Sequence, residues 1–393
     1  MTRPSADVLS WLERLIGFDT TSSRSNLPLI AAVADDLRAL GLEPLVLPRE
    51  DQTKANLVVT VPDRSGNLVG GVMLSGHTDV VPTEGQSWAS DPYRMVERDG
   101  LIHGRGVTDM KGFVAVALAA VPAMVSADLR EPIHLALSYD EEVGCLGAGP
   151  LVAALRRENR LPDTCFVGEP TSMRMIRGHK SITVATVEVT GRAAHSSLST
   201  SGVNAIEHAA TIVNYWRERK EHWRTEGPFD AAYPLPYTTG AVTTVTGGNG
   251  VNIIPASCRL TLEFRAVGAA DPGRELAALA QVCCDVEQAM RTEAGDAADQ
   301  VGVRLTVDAE TPGLDTPADD PVVTLGASLG LTPLTDKVTY GTEAGIFSAA
   351  GVSTVVCGPG DIAQAHTPDE FIEPAQLVAC EAFVARLVEQ QRG

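Results

Sequence analysis

The sequence lacks several things that would point elsewhere. No apolar run is long enough to span a bilayer. The N-terminus, Met-Thr-Arg-Pro-Ser-Ala-Asp, has no apolar segment of the kind that directs secretion. Seven cysteines, Cys145, Cys165, Cys258, Cys283, Cys284, Cys357 and Cys380, make an odd set without a C-x-x-C pair. That argues against a disulfide framework and a cysteine-built zinc site, and for buried, reduced thiols. Positive charge is scarce: 31 Lys and Arg face 50 Asp and Glu, a formal net charge of -19, with no basic run to offset it. Such a surface repels nucleic acid and anionic membrane, and weakly favours a cationic or zwitterionic small substrate. Walker A and H-E-x-x-H motifs are missing, as are internal repeats and low-complexity tracts. The expectation is a soluble, cytoplasmic protein of ordinary globular composition, long enough for two or three domains.

What is present is a rhythm of apolar strands and amphipathic helices. The spacing predicts helices over 6–17, 27–40, 108–125 and 148–157, and strands over 55–60, 71–74, 132–138 and 163–167. Strands apolar on both faces, alternating with helices, imply an α/β domain with a mixed, mostly parallel sheet and helices on both faces. After His179 the style changes. A strand over 181–190 alternates in polarity, then come a helix at 203–216, an irregular stretch at 219–239, strands at 242–245 and 258–265, a helix at 273–292 and a strand at 301–307. That β-α-β-β-α-β order is ferredoxin-like. The α/β style returns with a helix at 321–329, a strand at 353–357 and a helix at 376–391. The expected organisation is a first domain over 1–179 and 311–393, interrupted by an α+β insert over 180–310.

The chain is organised around Ser75-Gly76-His77-Thr78-Asp79-Val80-Val81-Pro82. His77 and Asp79 sit two apart where an apolar strand ends, so both can point the same way. A metal-bound His usually donates its other ring N–H to a carboxylate, which fixes its tautomer and orientation. His77 is therefore a candidate ligand with Asp79 as its orienter, although a solvated turn fits this spacing equally well. Other candidates lie at similar places: Glu141 and Glu142 beyond 132–138, Glu169 beyond 163–167, and His366 in the loop after 353–357. Parallel strands share a carboxyl edge, where open α/β sheets bind ligands. Asp109, between Gly106 and Gly112 at a helix start, completes the set; an acid at that place also complements the helix dipole. Two His and several carboxylates suit a pair of divalent ions, with one carboxylate bridging and a spare Glu acting as general base.

These segments resemble a known family. S-G-H-T-D-V-V-P at 75–82, G-R-G-V-T-D-M-K-G at 104–112, S-Y-D-E-E-V-G at 138–144, G-E-P-T at 168–171, G-R-A-A-H-S-S at 191–197 and A-H-T-P-D-E at 365–370 are similar to the co-catalytic zinc metallohydrolases. That family includes acetylornithine deacetylases, succinyl-diaminopimelate desuccinylases, aminoacylases and glutamate-releasing carboxypeptidases. The resemblance implies a dinuclear-zinc exopeptidase-like fold whose insert is a lid and dimerisation domain. It implies that His77 and Glu169 hold one metal, Glu142 and His366 the other, and that Asp109 bridges them. Asp79 would orient His77, and Glu141 would be general base and acid. His195 would reach across a homodimer as an oxyanion donor, and Asn252 and Arg265 would hold the substrate carboxylate. Lys180, Thr342 and Glu343 would also face the substrate. Zn²⁺ is the default metal, and Co²⁺ or Mn²⁺ suits the same ligands. The runs at 340–347 and 356–366 look most like the acetylornithine deacetylases. The implied reaction is hydrolysis of N²-acetyl-L-ornithine to ornithine and acetate in arginine biosynthesis. A desuccinylase, an aminoacylase, and a non-catalytic binding protein on the same fold remain the alternatives.

Overall fold

The computed structural model describes residues 3–393; Met1 and Thr2, part of the N-terminal segment read above, lie outside the described residues. In chain order the main strands are β1 (Leu45–Pro48), β2 (Ala55–Val61), β3 (Val72–His77), β4 (Ile133–Ser138), β5 (Thr164–Pro170), β6 (Ile182–Thr190), β7 (Thr239–Gly247), β8 (Ser257–Arg265), β9 (Gly302–Thr311) and β10 (Ser353–Gly358). The helices are α1 (Ala6–Ile16), α2 (Leu27–Ala39), α3 (Lys111–Ala119), α4 (Val121–Ser126), α5 (Ala148–Arg157), α6 (Ala205–Glu226), α7 (Pro272–Ala294), α8 (Pro321–Ser328), α9 (Ala344–Ala349) and α10 (Pro374–Gln391). No described helix is long and apolar enough to cross a membrane.

Two compact units result. The first contains the chain up to Gly178, Leu314–Lys337 and Thr342–Gly393. The second contains His179–Gly313 and the short return Val338–Gly341. The insert expected over 180–310 thus extends to Gly313, and the return at 338–341 is an addition that no composition change marks.

The first unit is built on a six-stranded sheet in the order β1-β2-β4-β3-β5-β10. β4, β3, β5 and β10 run parallel, and β2 and β1 close one edge antiparallel. Register aligns the strand ends. Val72 faces both Ile133 and Thr164, and His77 faces Ser138. Every residue of β2, β3, β4 and β5 is buried, because helices cover both faces. Phe166 of β5 meets Phe383 of α10 edge-on, with ring centroids 5.1 Å apart.

The helix expected over 108–125 is two. Pro122 has no N–H to give to the carbonyl of Leu118, so α3 closes at Ala119 and α4 restarts at Val121. It also begins three residues late, which leaves Asp109 in a loop. Gly168 matters where β5 meets α3: a Cβ there would lie 2.0 Å from the Phe113 ring of α3. Only glycine lets β5 run this close to α3, just before Glu169.

The second unit is a four-stranded antiparallel sheet in the order β7-β8-β6-β9. Its helices α6 and α7 bury Trp216, Trp223, Leu279 and Met290 against Val187, Leu260 and Phe264. Here the irregular stretch expected from 219 starts too early, since α6 continues to Glu226. Trp216 and Trp223, two turns apart, keep one apolar stripe facing the sheet through an otherwise charged segment, and pack edge-to-face at 5.3 Å.

Gly168→Ala is expected to lower the midpoint of urea unfolding, with an overpacking cost of about 1–3 kcal/mol. An unchanged midpoint would contradict the contact with Phe113.

Candidate metal centre

Seven of the residues singled out in the sequence converge at the carboxyl ends of β3, β4, β5 and β10. His77 ends β3 and is fully buried. Its Nδ1 donates to the carbonyl of Asp79 at 2.8 Å, which turns Nε2 toward Asp109 Oδ1 at 3.0 Å and Glu169 Oε1 at 3.8 Å. Glu169 lies inside β5, not beyond it. Glu141 and Glu142 follow β4 in a turn opened by Asp140, whose φ is +57°. His366, with φ +61° and an exposed side chain, sits 3.2 Å from Asp109 Oδ2 and 3.1 Å from Glu142 Oε2. Donor atoms of His77, Glu141 and Glu169 lie within 4.8 Å of one another, as do those of His77, Asp109 and Glu142.

Asp79 is placed differently from the expectation. Its backbone carbonyl, not its carboxylate, holds the His77 ring; the nearest carboxylate oxygen is 3.6 Å away. The carboxylate instead accepts the N–H groups of Glu141 at 3.1 Å and Glu142 at 3.3 Å, and the hydroxyl of Ser22 at 2.7 Å. It therefore fixes the tandem glutamates. Two residues that the sequence reading passed over do the same from β2 and its start. Asn56 accepts from Tyr139 N–H at 3.1 Å and donates to the Gly147 carbonyl at 2.8 Å, spanning the turn. Buried Lys54 pairs with Asp140. Nothing in local spacing flags either residue, because their partners are more than eighty residues away.

Thr342 and Glu343 do not line an open surface. Glu343 is fully buried and accepts the hydroxyls of Ser75 and Ser138, each at 2.6 Å. Thr342 is buried too, its Oγ1 accepting from Ala344 N–H at 3.1 Å. In the second unit Lys180 is buried, donating to the Tyr237 carbonyl at 2.6 Å and lying over the Tyr233 ring. Burial and the neighbouring Arg265 charge bring its amine down to about 8. Arg265 bonds Glu263 at 2.8 Å. His195 and Asn252 are exposed neighbours, the Ser196 N–H donating to the Asn252 carbonyl at 3.0 Å. Gly326-Ala327-Ser328-Leu329-Gly330 fits the serine-hydrolase pattern G-x-S-x-G. Ser328, however, ends a helix and donates to Leu325 and Gln390, so it is no nucleophile elbow.

The sequence pattern of Peptidase family M20/M25/M40 matches residues 73–390, a span that carries this whole cluster. The chain belongs to that family. Its similar proteins include an acetylornithine deacetylase of Myxococcus xanthus, 36% identical over 96% of this chain and 95% of that one. Another, from Pasteurella multocida, is 32% identical over 97% of each. Among solved structures, the M20 family metallo-carboxypeptidase Sso-CP2 of Sulfolobus solfataricus shares the fold with a TM-score of 0.73 at 16% identity, covering 98% of this chain and 99% of that one. A tripeptidase of Staphylococcus aureus does so at 0.70 and 21%, covering 99% of each.

As a member of this family the chain should hold metal, and its donor set fits a pair of divalent ions. Four carboxylates and two imidazoles meet with no Lys or Arg among them. Glu169 Oε1 is buried without a hydrogen-bond partner, which is costly unless a cation occupies that place. Titration tells the same story. Burial opposes charge on His77, but the hydrogen bond to Asp109 and the charges of Glu169 and Asp79 hold it well above its ordinary value. Burial and the neighbouring carboxylates push Glu169 and Glu141 well up, and Glu142 up. Hydrogen bonds to Asp109 and Glu142 raise His366 to about 10. Without metal, the cluster gathers protons to offset its own negative charge.

This gives a sign for metal binding. At pH 7 His366 carries a proton that it must lose to become a ligand. Metal affinity is therefore expected to rise with pH from about 6 toward 10, roughly tenfold per pH unit for each proton released. Calorimetry of metal binding in two buffers of different ionisation enthalpy should show that release. Equal heats in both buffers would rule it out.

Proposed function

We propose that this M20-family protein hydrolyses the N-acyl amide of a small amino acid, and that its substrate is N²-acetyl-L-ornithine, giving ornithine and acetate. The observation that carries the chemistry is the convergence of Glu141 with two imidazoles and three further carboxylates at one sheet edge. The acetylornithine deacetylases at 36% and 32% identity support the substrate. In this reading the pathway served is arginine synthesis and the compartment is the cytoplasm.

His77 and Glu169 would hold one ion, Glu142 and His366 the other, with Asp109 between them. When bound, the two ions would supply Lewis-acid activation of the scissile carbonyl and of the attacking water. Zn²⁺ is proposed on the N/O donor set, with Co²⁺ or Mn²⁺ able to use the same ligands. Glu141 is the one member of the cluster left for proton transfer. Its raised affinity for a proton matches a group that accepts one from water and passes it to the leaving amine. Asp79, by gripping the N–H groups of both glutamates, holds Glu141 in register with Glu142.

The second unit is proposed to pair two copies of the chain and to act as a lid. Its own surface supports pairing: β7 is an edge strand, and Leu198, Val245, Val251 and Ile253 expose apolar side chains on this unit. His195, beside Ile253, is proposed to donate to the oxyanion in the partner copy's centre, and Asn252, Arg265 and Lys180 to meet the substrate carboxylate. Burial of Thr342 and Glu343 favours a supporting role over substrate contact.

The test is amine release from N-acetylornithine and succinyl-diaminopimelate side by side, after chelator stripping and reloading with Zn²⁺ or Co²⁺. Metal-dependent turnover of the first alone supports the assignment; turnover of the second instead would discard it and keep the hydrolytic chemistry. Glu141→Gln is expected to keep both metals while kcat falls about 10²–10⁴-fold; wild-type kcat would remove Glu141 as the base. His195→Ala should lower kcat with metal content unchanged. Equal kcat in that variant would sink the cross-dimer role.

A further inference from the structure

Glu370 and Arg105 are absent from the ligand set and almost fully buried, each about 1% exposed. The Glu370 carboxylate takes four N–H groups. Oε1 accepts from the backbone of Thr108 at 2.9 Å and Asp109 at 3.2 Å. Oε2 accepts from the backbone of Gly106 at 2.9 Å and from Arg105 Nη1 at 2.8 Å. All four donors, three backbone and one side chain, belong to the loop that presents Asp109. Glu370 itself ends the loop that presents His366.

Arg105 closes the circuit at the other end of that second loop. Its guanidinium lies 5.0 Å from the Trp88 ring centroid. Nη2 donates to Gln86 Oε1 at 2.6 Å, and Gln86 Nε2 donates to the carbonyl of His366 at 3.0 Å. Backbone pairing continues the seam: Gly104 N–H donates to the Glu370 carbonyl at 3.1 Å, and Phe371 pairs antiparallel with His103. Thr108 Oγ1 donates to the Phe371 carbonyl at 2.6 Å and His103 Nδ1 bonds the Asp369 carbonyl at 3.0 Å, and within this seam one carboxylate and one guanidinium join two loops more than 250 residues apart in sequence.

The metal ligands are not equally held. His77 and Glu169 are residues of strands buried in the sheet. His366 has an exposed side chain on a loop with a left-handed backbone. We propose that the Arg105–Glu370 pair is a latch that sets one of the two metal positions, the one between Asp109, Glu142 and His366. Both are positioning residues, acting through the backbone of the loops that carry Asp109 and His366. The inference rests on the two-metal reading above.

Glu370→Gln tests it. A carboxamide offers one acceptor oxygen where the carboxylate offers two, so two of the four donors lose their partner and face an NH₂ group. Zinc titration by calorimetry, with metal content of the dialysed protein, is expected to show two equivalents in the wild type. In Glu370→Gln one equivalent should weaken by about 10–100-fold and the other, anchored by the strand residues His77 and Glu169, by clearly less, the pattern His366→Ala defines as the control. If circular dichroism shows Glu370→Gln unfolded, Arg105→Lys carries the test. It keeps the charge and loses the fork between Glu370 and Gln86, and the same equivalent should weaken. Two equivalents at wild-type affinity in the folded variant overturn the latch and leave the two-metal reading standing. Equal weakening of both equivalents also overturns it, since general destabilisation would do that. Fewer than two equivalents in the wild type overturn the reading and the latch with it.

Discussion

Mutual repulsion among Asp109, Glu141, Glu142 and Glu169 is the constraint on which the centre depends. Four carboxylates in a space a few ångströms across cannot all stay charged and buried without cations. Protons on His77 and His366 satisfy part of that need, and Glu169 keeps one oxygen with no hydrogen-bond partner. Divalent ions would satisfy the rest. The fold tolerates so unfavourable an arrangement because the surrounding core is apolar and dense. β2, β3, β4 and β5 are buried along their whole length.

Holding the ligands apart and oriented falls to groups that carry no chemistry of their own. Asp79 secures the amides of the tandem glutamates. Asn56 and Lys54 pin the turn that contains them. Ser75 and Ser138, at neighbouring strand ends, share the buried Glu343 carboxylate. Glu370 and Arg105 tie two distant loops together. Each is a bond between backbone or side-chain groups far apart in sequence, and each restricts a residue whose geometry matters to within a fraction of an ångström.

The second unit follows different rules. Its sheet is covered by helices on one face only, and its edge strand β7 is largely exposed beyond Val242. Its stability comes from a separate core around Trp216, Trp223 and Phe264. Its exposed face is not committed to that core, so residues there can be chosen for recognition without loss of packing.

Much of this was legible in the sequence. Apolar strands alternating with helices announced the parallel sheet, and a period-two pattern after His179 announced the second unit, because burial on two faces or one imposes those patterns directly. His77, Asp109, Glu141, Glu142, Glu169 and His366 stood out because each lies near the carboxyl end of an apolar strand or at the start of a helix, and strands in parallel share an edge. Local patterns failed where a distant partner decided the outcome. The long helix was cut by Pro122 and started late because Glu370 claims the amides before it. α6 ran on to Glu226 because Trp223 found a core that its charged neighbours conceal. Asp79 turned its carboxylate to Glu141 and Glu142 while its carbonyl took His77, and Glu343 went inward to two serines. The sequence by itself determined which residues could ligate and which faces had to be buried, since both follow from side-chain chemistry and spacing. Only the tertiary structure decided which oxygen meets which nitrogen, because those pairings join segments tens to hundreds of residues apart.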